Sequence, residues 1–381
     1  MRRNLIIFLN PHIWDMNIWQ ALEIDKFKKK FDVALFELGH LINKSMVNSF
    51  PNKIKSNKII RPHNLENFKF YISCLSKEYK KKKIVLINGV NSINSTSFLL
   101  LKFLSLQNIN IIHINNPGIP KIFINKTFYE RFAEVINIEY LILTIKKKIF
   151  NYLFKFLNFQ NLYYLISGTI QQKELRNKKK INGVCWDFSK KKNLEKINKK
   201  KNYAVYVQST LNTGDAPILG PNQMKINKDV WLKKLNKFFD EFEKKSNLKI
   251  IISAHPKSKN NIKKYFKKRN VYFNITQELV YKSKFVLIEG SSAISFVIKY
   301  LKPAFMIYSD QQVSRSYYRD QFFHISKSTG IYAHNIENPL NNTFKKKIKF
   351  INKKKYRTFQ REYLGNPKFS NYEIINKKFF N

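Results

Sequence analysis

Short apolar runs alternate along this chain with longer stretches in which apolar residues recur every three or four positions. In the first third the apolar runs are "NLIIFLN" (4–10), "FDVALFEL" (31–38), "KKIVLING" (82–89) and "NINIIHIN" (108–115). Runs of this length, rich in Ile, Val and Phe, predict parallel strands covered on both faces. Between them lie "WDMNIWQALEIDKFKKK", "LENFKFYISCLSKEYKK" and "STSFLLLKFLSLQ", whose spacing predicts helices. Strand–helix alternation of this kind predicts an α/β domain with a parallel sheet. The Pro/Gly loop "NNPGIPK" (115–121) closes the fourth strand.

A second alternation starts at residue 203. "YAVYVQ" (203–208), "LKIIISA" (248–254), "KFVLIE" (284–289) and "PAFMIY" (303–308) predict strands. "DVWLKKLNKFFDEFEKKSN" (229–247) predicts an amphipathic helix with Val230, Leu235, Phe238, Phe239 and Phe242 on one face. The expected organisation is an N-terminal Rossmann-like domain over 1–170 that binds an acceptor and a lysine-rich linker over 171–202. A C-terminal Rossmann-like nucleotide-sugar domain over 203–340 and a helical tail over 341–381 that returns toward the N-terminal domain would complete it. The fold class is α/β, with two Rossmann-like domains facing a cleft. Between Tyr140 and Phe159, Ile, Leu and Phe interleave with Lys146, Lys147, Lys148 and Lys155. Two readings fit this pattern: a core helix whose outer face is lysine, or a basic amphipathic helix lying on a membrane surface.

Composition changes the picture in one respect. The 381 residues carry 71 Lys+Arg against 25 Asp+Glu, a net charge of +46. An anionic membrane face or another polyanion would be attracted to such a surface. A coding bias toward Lys, Asn, Ile, Phe and Tyr would produce the same excess. The positive charge is mostly Lys in scattered runs, and no nucleic-acid motif accompanies it, so no nucleic-acid partner is expected. With 33 Phe and 20 Tyr, the chain has ample material for hydrophobic cores. Cys74 and Cys185 stand far apart without a CxxC, which excludes a disulfide framework and a cysteine zinc site and fits a cytoplasmic location. No run of 18 apolar residues occurs, so no spanning segment is expected and a membrane role would be peripheral.

The candidate chemistry clusters at predicted strand ends, where open α/β sheets bind ligands. His255 follows the second strand of the C-terminal half, Pro256 fixes the backbone beside it, and Lys257 offers a charge to a phosphate. Glu289, Gly290, Ser291 and Ser292 end the next apolar strand, ahead of the predicted helix "SAISFVIKYL". A serine there is ordinarily an N-cap; two serines after a glycine also provide amides and hydroxyls suited to an anion. Asp215, in the loop "NTGDAP", is a candidate general base or an ordinary turn aspartate. The chain has no DxD, HExxH, GxGxxG or GxxxxGK[ST]. Those absences argue against a DxD-type metal-dependent transferase, a zinc hydrolase, a dinucleotide dehydrogenase and a P-loop enzyme.

On these residues, the segment from Tyr203 to Gln311 resembles the C-terminal domain of GT-B-fold bacterial glycosyltransferases that build surface polysaccharides. In motif style it is similar to bacterial sialyltransferases and the related CMP-nonulosonate and Kdo transferases. His255-Pro256 matches their HP dipeptide and Ser291-Ser292 matches their serine pair. The resemblance implies that His255 contacts the nucleotide and that the serines hold its phosphate. The family's D/E-D/E-G motif, which carries the catalytic base, is absent, and Asp215 is the nearest acidic candidate. The implied reaction is metal-independent and inverting. It would move a sialic-acid-like or Kdo-like sugar from a CMP-linked donor to a glycan acceptor on lipopolysaccharide, lipooligosaccharide or capsule, with no cofactor. The residues 88–95, "NGVNSINS", would then contact the acceptor. CDP-glycerol glycerophosphotransferases are similar over the same segment, which leaves a CDP-linked donor as the alternative. A basic binding protein without catalytic activity is the non-enzymatic one.

Overall fold

A computed structural model describes residues 2–42, 54, 56, 58–91, 94–115, 132, 136, 138–189, 202–209, 227–255, 258, 260–266, 268–314, 316–341, 344–366 and 368–381. These fall into two compact units. The first holds residues within 1–116, 136–190 and 365–381, and the second holds those within 117–135 and 191–364.

The first unit is built on a seven-stranded parallel sheet: β1 (Leu5–Asn10), β2 (Asp32–Glu37), β3 (Ile59–Ile60), β4 (Ile84–Asn88), β5 (Asn110–Asn115), β6 (Leu162–Ser167) and β7 (Lys180–Gly183), in the order β3-β2-β1-β4-β5-β6-β7. All six residues of β1 are buried, because β1 is central and has helices on both of its faces. Helices α1 (Leu65–Glu78) and α2 (Ser95–Ser105) each begin at an asparagine, Asn64 or Asn94, whose side chain accepts from a first-turn amide. Helix α3 (Ile138–Phe154) precedes β6.

The second unit repeats the plan with β8 (Tyr203–Val207), β9 (Lys249–Ala254), β10 (Val271–Phe273), β11 (Phe285–Ile288), β12 (Ala304–Tyr308) and β13 (Tyr332–Asn335), ordered β10-β9-β8-β11-β12-β13 and parallel throughout. In both sheets the first strand of the unit lies between its second and fourth major strands, the arrangement of doubly wound Rossmann-like sheets. Helix α4 (Lys228–Ser246) packs Trp231, Leu232, Leu235, Phe238, Phe239 and Phe242 into the core. The expected buried face was offset by one residue at its start. Val230 is 42% exposed and Trp231 takes the inward position, because 231, 235, 238 and 242 keep the three- and four-residue spacing of a single face.

Two expected boundaries differ. The linker over 171–202 begins later, since residues of helix Gly168–Glu174 and strand β7 complete the first sheet. β7 is an edge strand with Ile181 and Gly183 inward and Asn182 exposed, so its lysine-rich, barely apolar sequence reads as a connection. The tail over 341–381 divides at Gly365. Phe344 belongs to the core of the second unit and the Tyr356 hydroxyl donates to Lys302 O there (2.9 Å), whereas helix α5 (Asn371–Phe379) joins the first unit. The Asn371 side chain closes that junction, accepting from Val184 N (2.9 Å) and donating to Val184 O (3.0 Å). Among the described residues, no helix is long and apolar enough to cross a membrane.

Candidate functional site

The switch point of the second sheet lies between β8 and β11, where the crossovers diverge, and open α/β sheets bind ligands beyond the strand ends at such a point. The register there is fixed: Ser253 of β9 pairs with Val207 of β8, and Val207 pairs with Ile288 of β11. His255, Ser209 and Gly290 each lie two residues beyond these paired positions, at the carboxyl ends of three adjacent strands.

Around these positions the polar groups are held by one another. Gln208, the first residue after β8, is buried, and its Oε1 accepts from His255 N (3.2 Å) and from Ser258 Oγ (3.1 Å). The loop after β9 is thereby tied to the end of β8. Ser253 Oγ and Thr276 Oγ1 lie 2.8 Å apart, so Thr276 is joined to β9 rather than acting as a helix cap. His255 itself is half-buried. Pro256, Lys257 and Asp215 lie outside the described residues.

Glu289 departs from its expected role. It is 3% exposed and faces inward, so it does not offer its carboxylate to a ligand's phosphate. The Tyr206 hydroxyl donates to its Oε1, while Ser209 Oγ (2.7 Å) and Gln312 Nε2 (3.1 Å) donate to its Oε2. Gln312 Oε1 in turn accepts from Ser309 N (2.7 Å) at the end of β12. One carboxylate therefore fixes the ends of β8, β11 and β12 relative to each other. Burial pushes the Glu289 carboxyl up to about 7, against the opposing pull of these three hydrogen bonds.

Gly290 is exposed and Ser291 and Ser292 are half-buried in the turn that leads to the helix Ile294–Lys299. Three amides of this turn are engaged internally: Ala293 N donates to Ser291 Oγ (3.3 Å), Ile294 N to Ser291 O (3.1 Å) and Ser295 N to Ser292 O (3.1 Å). An anion would therefore be met by residues 290–292. A Cβ on Gly290 would meet nothing closer than Phe322 at 4.0 Å, and its φ is not in the left-handed region. The fold does not need glycine at this position.

The structure thus brings His255, Gly290, Ser291 and Ser292 to the carboxyl ends of β9 and β11, with Glu289 buried beside them. It adds Tyr206, Gln208, Ser209 and Gln312, which sequence reasoning missed. Gln208 and Ser209 carried a signal, being polar residues directly after an apolar strand. Gln312 carried none. In the first unit, residues 88–95 are largely committed to the fold. Asn88 is buried, takes Val90 N on Oδ1 (2.9 Å), donates to Val90 O (3.1 Å) and lies 3.1 Å from His113 Nδ1. Asn94 caps α2 and donates to Ile42 O (2.7 Å). Asn91 is exposed, and Ser92 and Ile93 lie outside the described residues. Burial lowers the His113 imidazole to about 4, so it is neutral near neutral pH.

No protein-family model matches the chain, and no curated protein matches it in sequence. Among solved structures it is similar to the UDP-GlcNAc 2-epimerase of Methanocaldococcus jannaschii, at 11% identity and TM-score 0.48 over 99% of this chain and 98% of that one. It is also similar to MurG of Acinetobacter baumannii (9% identity, TM-score 0.39, covering 98% and 94%) and to the heptosyltransferase WaaC of E. coli (11% identity, TM-score 0.33, covering 86% and 100%). At these identities and TM-scores, the assignment of two Rossmann-like units rests on the chain's own strand order and register.

Proposed function

We propose that the chain is a glycosyltransferase of the GT-B type that uses a nucleotide-linked sugar, with the nucleotide held by the second unit. The observation that supports this most is the register at the sheet's switch point, where Ser253, Val207 and Ile288 pair across β9, β8 and β11 and His255, Ser209 and Gly290 each follow two residues later, with Ser291 and Ser292 next. His255 and the Ser291-Ser292 pair would meet the two ends of a nucleoside phosphate. Glu289, Gln208 and Gln312 are positioning residues that hold the loops carrying those contacts.

The finer reading is a CMP-linked sialic-acid-like or Kdo-like donor and a surface glycan acceptor. In the reaction, an acceptor hydroxyl oxygen attacks the anomeric carbon and forms the new glycosidic bond. The bond from that carbon to the donor phosphate oxygen breaks, and CMP leaves with the electron pair. The hydroxyl proton passes to a carboxylate, for which Asp215 is the candidate. The 290–292 turn stabilises charge developing on the departing phosphate, with Lys257 as a further candidate, and attack opposite the leaving group inverts the anomeric centre. No metal ion is proposed in this scheme.

Thermal-shift titration of the protein with CMP, CDP, UDP, GDP and ADP tests the proposal, using wild type and His255→Ala. A shift with CMP that His255→Ala loses is the expected result. A larger shift with CDP favours glycerol- or ribitol-phosphate transfer, and one with UDP, GDP or ADP keeps the nucleotide site while replacing the donor. A folded protein that responds to none of the five overturns the proposal.

A further inference from the structure

Helix α3 is the most unusual surface in the first unit. Its inner side is anchored: Phe150 meets Phe98 (ring centroids 5.8 Å apart), and Phe154 meets His113 (6.3 Å) and Phe159 (5.6 Å). A different side faces water. Ile138, Ile142, Ile145, Ile149, Tyr152 and Phe156 recur at intervals of four and three and are 67, 45, 47, 50, 60 and 67% exposed. That is one continuous apolar stripe along the whole helix and into the turn after it. The core-helix reading predicted a lysine outer face. The structure instead has an apolar outer face with lysines beside it.

At about 100° per residue, Lys146 falls along one border of the stripe and Lys148 and Lys155 along the other. All three are exposed. Residues 138–156 contain four lysines and one acidic residue, Glu139, at the start of the helix. An apolar face bordered by ammonium groups on both sides suits the interface of an anionic bilayer. There the apolar side chains enter the headgroup–acyl boundary and the lysines reach the lipid phosphates. A second copy of the chain is a poor match for the same surface. A two-fold contact would set the stripe against itself and bring lysine borders together with few carboxylates to oppose them. At 17 residues with a lysine triplet in its middle, α3 suits lying in the plane of a membrane rather than crossing it.

We propose that α3 docks the first unit onto the surface of an anionic lipid bilayer. The apolar stripe inserts and Lys146, Lys148 and Lys155 pair with headgroup phosphates. This does not depend on the transferase reading, because it concerns a different unit and a different chemistry.

The test is co-flotation of the full-length protein with two vesicle preparations, phosphatidylcholine alone and phosphatidylcholine with about one-third phosphatidylglycerol. The variants are Ile145→Ser/Ile149→Ser and Lys146→Gln/Lys148→Gln/Lys155→Gln. All five positions are exposed, so unchanged thermal unfolding is expected and confirms that each variant is folded. Wild type should bind the anionic vesicles at least about tenfold better than the neutral ones, and each variant should lose about tenfold or more of that binding. Three results would overturn the proposal. One is a wild type that fails to bind anionic vesicles. A second is binding that survives loss of the two isoleucines, which would assign it to the diffuse +46 charge instead. The third is a wild-type dimer that Ile145→Ser/Ile149→Ser converts to monomer, which would make the stripe a contact between copies.

Discussion

Glu289 is the residue in which the local chemistry is most concentrated. Its folded-state value of about 7 lies above the ordinary carboxyl value of 4.5, so the native state holds a proton that the unfolded chain releases. Its contribution to stability is therefore complete below about pH 4.5 and is lost as pH rises through about 7, a change of about 3 kcal/mol for a shift of this size. Urea unfolding across that window should show wild type losing stability with rising pH relative to Glu289→Gln, which has no charge to bury. Equal slopes in the two proteins would refute a buried acid at this site. His113 acts in the opposite sense. Its folded value of about 4 lies below its ordinary 6.5, so its contribution is present above pH 6.5 and is lost as pH falls through about 4. Gly290 supplies a test that separates folding from binding. Since a Cβ there has room, Gly290→Ala should unfold at the wild-type temperature. If a phosphate lies against that backbone, nucleotide affinity should still fall, by about tenfold for a contact worth 1.4 kcal/mol. Retained affinity would place the phosphate elsewhere.

At the scale of elements, the central strands buried on both faces were legible, whereas the edge strands and β6, an interior strand of which only the last three residues are buried, were not. β1, β4, β8 and β11 are nearly pure Ile, Leu, Val, Phe, Tyr or Ala, because helices cover both sides of a central parallel strand. β7, β10 and β13 lie at sheet edges, carry Lys, Asn, His or exposed Tyr, and escaped notice. In α4 the sequence specified a helical face but was one residue out at its start. Nothing in "DVW" says which of Val230 and Trp231 turns inward until the sheet is in place. Phe242 is a strict test of that face: it is fully buried, with ring contacts to Phe238, Phe285 and Phe344. Phe242→Ala should lower the unfolding free energy of the second unit by about 3–5 kcal/mol in denaturant titration, whereas Val230→Ala should change it by under about 0.5 kcal/mol.

For the whole molecule, the chain leaves the first unit for the last time after residue 190, completes the second and returns. The return is made at Gly365, which has φ +87 and forms an antiparallel bridge with Val184. A Cβ there would lie 2.4 Å from Gly183 O and 3.2 Å from Val184 Cα. Gly365→Ala should therefore cost the first unit about 1–3 kcal/mol or more, read as a drop in the unfolding midpoint of that unit. A variant as stable as wild type would show that the returning segment is not bound as described. Removing residues 365–381 should have a larger effect, because Tyr372 N donates to the buried Glu23 (3.0 Å) and Phe380 packs on Phe31 (centroids 4.5 Å apart).

The amino-acid sequence by itself determined that there are two α/β halves and which apolar runs form their central strands. It also located the paired positions, His255 and Gly290–Ser292, that end two of those strands. Such features are local: apolar run length, helical spacing and a polar cluster after a strand are visible in a window of a few residues. Only the tertiary structure decided that these positions follow adjacent strands, since sheet order and register are set by contacts between residues 46 and 81 apart in sequence. It alone turned Glu289 inward, because the donors that accept its burial, Tyr206, Ser209 and Gln312, come from two other strand ends. It alone showed that the apolar face of α3 points to water, for an amphipathic pattern says that a helix has two faces and not which of them the protein covers.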